Sequence, residues 1–354
     1  MKRVNTSLLG KVVASLIVTG ICVAYAVHGV DRGQVLAELR HLTPTAVLAY
    51  LATLAVSHLF RTWRWTFLLR PLGASIPLRR LLPISSVGFM AILALPVRLG
   101  EFVRPYFVAR TGQVRMSAAL GTVAVERIID GLCISILFFV AYVFSAGDTF
   151  SPELRFGAWL SLLGFVGLTS FLVAALIRTE LAISLFLKVS LISTLAPGRA
   201  AAIGEKIRTV ISGFRVLRDR KNLVFFLAHT VAYWGSNGAG MWILARAMGL
   251  PISLGAAYAT MAFTGVVLSL PNAPGLVGQF HAGVKLALLA YLPAAVVNTK
   301  GFAYSVVLHG LQTVWYVGTG VLCLPLCNTE HASLRQVIQQ STHAANETNA
   351  EIAG

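Results

Sequence analysis

Six charged residues stand inside sequence that is otherwise apolar. Glu126-Arg127-Ile128-Ile129-Asp130 heads one hydrophobic run; Leu95-Pro96-Val97-Arg98-Leu99-Gly100-Glu101-Phe102 precedes it, followed by Arg104. A charged side chain at the centre of a membrane helix costs about 2.5–3.5 kcal/mol, so such residues point first to a ligand or ion site. On a helix, Glu126 and Asp130 share a face, and Arg127 and Asp130 are spaced to pair. A guanidinium matches phosphate oxygens through two parallel hydrogen bonds. Arg98 and Arg104 are therefore candidates to hold the phosphate of a lipid head group. Glu101, Glu126, Arg127 and Asp130 would shape that site, orient the arginines or carry protons. The competing reading is a set of internal salt bridges, since buried charges generally pair.

A second cluster lies near the other end of the chain. Pro271, Pro274, Gly275 and Gly278 interrupt an apolar stretch, and His281 and Lys285 follow one helical turn apart. These residues form a candidate second cationic lobe, or the glycines serve only close backbone packing. His58, Arg61, Trp63, Arg64 and Trp65 read as a basic-aromatic belt anchoring a helix end at the membrane surface.

The elements that carry these residues are long apolar helices. Apolar residues make up 56% of the 354 and charged residues only 12%, against about 25% charged in a soluble domain; mean hydropathy is +0.76. The apolar runs do not alternate, which excludes a β-barrel. Runs of about 20 apolar residues cross a hydrocarbon core, and six such spans are expected: 8–28, 44–69, 118–145, 156–177, 223–248 and 302–326. Two further stretches, 81–110 and 254–291, are broken by proline and glycine, so neither can be one continuous helix. Irregular backbone at membrane depth is tolerated where protein or water covers it, and both stretches are read as re-entrant helical hairpins. The expected fold class is an all-α integral membrane domain over 1–327, with a polar, mobile tail over 328–354.

Net charge is +16, from 29 Lys and Arg against 13 Asp and Glu. No soluble module is long enough to make this a nucleic-acid surface, and the positive-inside rule accounts for much of it. With the N-terminus in the cytoplasm, the inner segments hold Lys2, Arg3 and Lys11, then Arg61, Arg64, Arg70, Arg79 and Arg80, then Arg98, Arg104, Arg110 and Arg115. Nine more fall between Arg178 and Lys221. The outer segments hold only Arg32, Arg40, Arg155, Arg246 and Lys300. The asymmetry requires 81–110 to return to the side it came from, and it places both termini in the cytoplasm. Within the basic segment 178–221, Ile203, Ile207, Val210, Ile211, Phe214 and Leu217 share a helix with Lys206, Arg208, Arg215 and Arg218. That pattern fits an interfacial helix or a solvated connector. The run 12–27 resembles the core of a cleavable signal peptide, but its length favours a retained span. Cys22, Cys133, Cys323 and Cys327 lack metal-ligand spacing. Phosphate-loop, His-Glu-x-x-His and Gly-x-Ser-x-Gly signatures are absent.

The two broken stretches also echo each other: Leu95-Pro96 and Gly100-Glu101-Phe102 against Leu270-Pro271 and Gly278-Gln279-Phe280. Paired interruptions at corresponding positions are a signature of inverted-repeat transporters, although so short an echo also arises by chance.

Taken in order, Pro96-x-Arg98-x-Gly100-Glu101-x-x-Arg104-Pro105, Glu126-Arg127-x-x-Asp130 and Pro271-x-x-Pro274-Gly275-x-x-Gly278 resemble the flippase-like transmembrane domain of lysylphosphatidylglycerol synthases, over roughly residues 5–327. The resemblance implies movement of a phospholipid or lipid-linked head group between leaflets of the cytoplasmic (inner) membrane, without a cofactor. Its partners would be an anionic or modified phospholipid or a polyprenyl-linked lipid, together with a separate lipid-modifying transferase. The alternative is a membrane enzyme or accessory subunit in glycolipid or aminoacyl-phospholipid synthesis. The chain departs from the family in two respects. His281 occupies a position where glutamate is usual, and the soluble aminoacyl-transferase domain of the synthases is not in these residues.

Overall fold

A computed structural model describes residues 6–95, 100–144, 219–270 and 273–327, with isolated positions at 156, 159–160, 162–167, 170, 181, 183–184 and 187–188. Among the described residues every regular element is helical. Helix α1 is Thr6–Val27, α2 Arg32–Arg40, α3 Pro44–Leu69, α4 Leu78–Ala94, α5 Val103–Ala109 and α6 Met116–Phe144. After the undescribed region come α7 Arg220–Ala247, α8 Leu254–Val267, α9 Gln279–Leu288 and α10 Phe302–Cys327. A π-helical turn, Val297–Gly301, leads into α10.

Local chemistry explains the helix ends. The Thr43 hydroxyl accepts from the Ala46 N–H at 3.3 Å, and Pro44 takes the first helical position, where its missing N–H costs nothing. Asp219 and Ser253 cap α7 and α8 in the same way. Leu95 turns extended (φ −96°, ψ 139°) at the end of α4, as a residue before proline must. The break before α9 needs glycine at Gly278, which has φ +85°; a Cβ there would also meet Val23 and the backbone of α1. Gly100, its counterpart at the first break, lies directly against the α4 backbone at Ala91 and Ile92.

Residues 81–110 and 254–291 are thus each two helices with a break between them. The paired arms pack on one another, α4 on α5 and α8 on α9. Among the described residues two helices, Pro44–Leu72 and Ala294–Cys327, are long and apolar enough to cross a bilayer by themselves. Outward-facing apolar side chains include Leu322 at 77% and Val231 at 71% exposure. The segment 178–221 apart from isolated positions and residues 219–221, the tail 328–354, and the motif residues Pro96, Arg98 and Pro271 lie outside the described residues. Helix α2, in a stretch read as a connection, was not expected.

The packing is reciprocal. The succession α3, α4, α5, α6 is matched by α7, α8, α9, α10, with lengths of 26, 17, 7 and 29 residues against 28, 14, 10 and 26. Helix α3 lies along its counterpart α7; α4 packs on α10 while α8 packs on α6. One apolar core, around Trp65, Leu81, Val108 and Val123, holds the first set; another, around Leu244, Ala257, Val284 and Leu308, holds the second. In a bilayer, lipid tails are as apolar as leucine, so such cores add shape complementarity rather than a hydrophobic drive, and interhelical hydrogen bonds of roughly 0.6 kcal/mol each supplement them. Ser57 to Ser236 (2.9 Å), Gln312 Nε2 to the Tyr50 hydroxyl (2.8 Å) and the Tyr304 hydroxyl to the Met241 carbonyl (3.0 Å) are examples.

Candidate functional site

Arg64 is the hub of the charged cluster. It is fully buried on α3. Its Nη1 and Nη2 donate to the two oxygens of Asp130 at 2.6 and 2.8 Å, and its Nε donates to Glu126 Oε1 at 3.1 Å. Arg104 Nη1 donates to the other Glu126 oxygen at 2.7 Å. The Arg104 guanidinium lies 4.1 Å over the Trp65 ring, and Trp65 Nε1 donates to Thr122 at 2.9 Å. Trp234, on α7, donates to Asp130 Oδ1 at 3.1 Å. Arg127 approaches Asp130 at 3.2 Å, Glu126 at 3.8 Å and Glu101 at 3.9 Å. Three cations and three anions from α3, α5, α6 and the α4–α5 connection therefore form one network. Bidentate pairing of this kind is what allows buried charges to persist.

This arrangement corrects the belt reading of 58–65. Arg64 and Trp65 are core residues, not surface anchors, because the carboxylates of α6 come to meet α3. His58 is buried as well, and its contacts settle its tautomer. Trp315 Nε1 can only donate, so His58 Nδ1 accepts at 3.3 Å and Nε2 donates to Ser86 at 2.9 Å; Ser86 in turn donates to the Leu82 carbonyl. That chain ties α10 to α3 and α4. Of the belt, only Trp63 is exposed. Arg64 was missed as a site residue, although the rule that flags an arginine within a span applied to it as fully as to Arg127.

Beside the network is a cavity of about 260 Å³. It lies on the seam between the two helix sets, and α3, α4, α6, α7, α8, α9 and α10 all contribute to its wall. Glu101, Arg127, Asp130 and Arg61 of α3 reach it from the first set. Tyr233, Trp234 and Asn237 come from α7, Phe280 from α9, and His309, Gln312, Thr313 and Tyr316 from α10. Arg104 and Glu126 do not line the cavity; they stand behind it and brace the residues that do. Arg104 is 1% exposed and its Nη1 is committed to Glu126, while its Nε and Nη2 are buried without a hydrogen-bond partner.

The second-lobe residues separate. His281 sits 5.0 Å from His309, centroid to centroid, and Phe280 stacks on His309 at 4.9 Å. Lys285 takes another course: Nζ donates to the carbonyls of Tyr25 (3.3 Å), Ala26 (3.3 Å) and His28 (2.6 Å). It therefore caps the C-terminal end of α1, where helix carbonyls lack intrahelical donors and a cation is favoured. The lobe reading of Lys285 is corrected by this geometry, since neither it nor His281 lines the cavity. Pro274, Gly275 and Gly278 shape the turn before α9.

Among the described residues no cluster of three or more His, Cys, Asp or Glu could bind a metal ion. The chemistry on the cavity wall is ion pairing and hydrogen bonding. Comparison with curated proteins and with solved structures finds no match. The family whose pattern the chain does match is the lysylphosphatidylglycerol synthase TM region, over residues 12–320; with a match of that extent, and an all-helical fold to go with it, the chain belongs to this family of membrane domains.

Proposed function

We propose that the protein moves the head group of a phospholipid or lipid-linked compound between the leaflets of the cytoplasmic membrane, and that it does so as a transporter rather than as an enzyme. The observation that carries this reading is the charged cavity on the seam between two reciprocally packed helix sets. Its 260 Å³ suits a head group with the acyl chains left outside, since pockets that enclose a whole drug-sized molecule run about 300–1,000 Å³. The wall presents Glu101, Arg127, Asp130 and Arg61 to that head group.

In this reading the chain has six full spans, and 81–110 and 254–291 are hairpins entering from opposite faces. Both termini and the basic segment 178–221 are cytoplasmic. The two helix sets are inverted repeats that rock against one another around the cavity, giving alternating access. A separate transferase would make the lipid.

The test is reconstitution of the full chain in vesicles carrying fluorescent phosphatidylglycerol in both leaflets, followed by bleaching from outside. Transport is expected to expose the inner-leaflet pool without changing lipid mass. Asp130→Asn and Arg127→Gln are expected to slow the exposure by roughly tenfold each, the worth of a charge-assisted hydrogen bond. Exposure no faster than in protein-free vesicles would end the reading. A change in lipid mass would favour a membrane transferase.

A further inference from the structure

Several polar atoms on the cavity wall have no partner in the protein. Asp130 is engaged by Arg64 and Arg127, and Glu101 lies beside Arg127. Arg64, Arg104 and Arg127 balance Glu101, Glu126 and Asp130 in charge. Arg61 stands outside that balance: among the described residues no carboxylate lies within ion-pair distance of it. Its guanidinium is 3.9 Å from the centroid of Phe89, with the rings of Tyr233 and Tyr316 at 5.7 and 5.9 Å. The Tyr316 hydroxyl meets one side of it, while Nε has no hydrogen-bond partner. Around the same space Arg127 Nε, His309 Nε2 and Thr313 Oγ1 are also buried without hydrogen-bond partners. Unmet polar atoms are expensive when buried, and all but the imidazole nitrogen are donors or, in the case of the hydroxyl, can donate.

We propose that this cavity holds an anion subsite for a phosphate diester, with Arg61 as its principal cation and the Thr313 hydroxyl and Arg127 as further donors. A phosphodiester brings one negative charge and two free oxygens. That charge matches Arg61, which among the described cavity-wall residues is the cation without a carboxylate, and the oxygens match a guanidinium fork. The aromatic frame of Phe89, Tyr233 and Tyr316 holds the fork in place through cation–π contact. An uncharged sugar or a cationic group would leave Arg61 uncompensated. The proposal rests on the transport reading only for the source of the phosphate, which is there a lipid head group.

The test is calorimetric titration of the full chain in a non-ionic detergent with four probes: dihexanoyl phosphatidylglycerol, inorganic phosphate, hexanoate and uncharged dihexanoylglycerol. Saturable binding of dihexanoyl phosphatidylglycerol is expected, weakened roughly tenfold or more by Arg61→Gln and several-fold by Thr313→Val, with Arg61→Lys between Arg61→Gln and wild type. Monodispersity on gel filtration checks that each variant is folded. Should Arg61→Gln not be recovered folded, Thr313→Val and Arg61→Lys decide the matter. Equal binding of dihexanoylglycerol, competition by hexanoate as strong as by the phosphodiester, or unchanged affinity in the folded variants would each overturn the subsite. Strong competition by inorganic phosphate would support the subsite and assign it to free phosphate, against the head-group reading. Lipid transfer in vesicles with no phosphate-dependent binding would do the reverse, leaving transport intact and removing this subsite.

Discussion

Where α5 meets α6, Arg104 donates to Glu126 at 2.7 Å, and Arg64 completes the carboxylate from α3. At the corresponding junction of the second helix set, α9 meets α10 through Phe280 and His281 against the ring of His309, at 4.9 and 5.0 Å. The two junctions share a place in the fold and differ in chemistry. A buried ion pair cannot part without leaving charges uncompensated, which costs several kcal/mol. An aromatic contact of about 0.5–1.5 kcal/mol parts cheaply. By these contacts the first junction resists separation more strongly than the second. The second set's own buried cation, Lys285, is spent on α1 rather than on its junction.

The comparison fails first at its strongest point if Glu126 proves dispensable. Glu126→Ala leaves Arg64 and Arg104 short of a partner, and a loss of about 3–5 kcal/mol is expected, read as a lower midpoint in thermal or dodecyl-sulfate unfolding. Next is Lys285→Met, which removes a donor from the carbonyls of Tyr25 and Ala26 in α1 and of His28 just beyond it. A loss of about 1.5–3 kcal/mol is expected, with faster amide exchange confined to the end of α1. His309→Leu should cost only about 0.5–1.5 kcal/mol; a cost as large as that of Glu126→Ala would erase the distinction between the junctions. The smallest effect concerns the helix starts. α3 is capped by the neutral Thr43 and α7 by Asp219. The Asn222 backbone N–H, with the Asn222 side-chain amide, holds the Asp219 carboxyl below its usual range. A depressed carboxyl contributes above its unfolded value and loses that contribution as pH falls through the folded one. Amide protection in the first turn of α7 is therefore expected to drop at acid pH while that of α3 does not, and Asp219→Asn should abolish the difference.

Much of the architecture was legible along the chain. Proline and glycine act locally, so the breaks at 95–102 and 268–278 follow from Leu95-Pro96 and from the glycines at 275 and 278, and the structure has both. The spacing of Arg127 and Asp130 announced their contact, which is found at 3.2 Å. Membrane character followed from composition alone, and the family that the three motifs resemble is the one whose pattern covers residues 12–320. The roles of Arg61 and Arg64 did not follow. They stand three residues apart on one helix, flanked by tryptophans, and a local window gives both the signature of a membrane-surface belt. Arg64 is instead buried against carboxylates 62 and 66 residues away, while Arg61 faces the seam with no carboxylate beside it among the described residues. Lys285 likewise reads as a ligand cation beside His281, yet it reaches the end of a helix some 260 positions earlier. Periodicity and turn chemistry are properties of neighbours in sequence, so the chain alone determined its helical class and where the two apolar stretches break. Which charge meets which partner depends on how α3, α6, α7 and α9 come together, and only the tertiary structure decided that Arg64 meets two carboxylates while Arg61 faces the cavity with none beside it among the described residues.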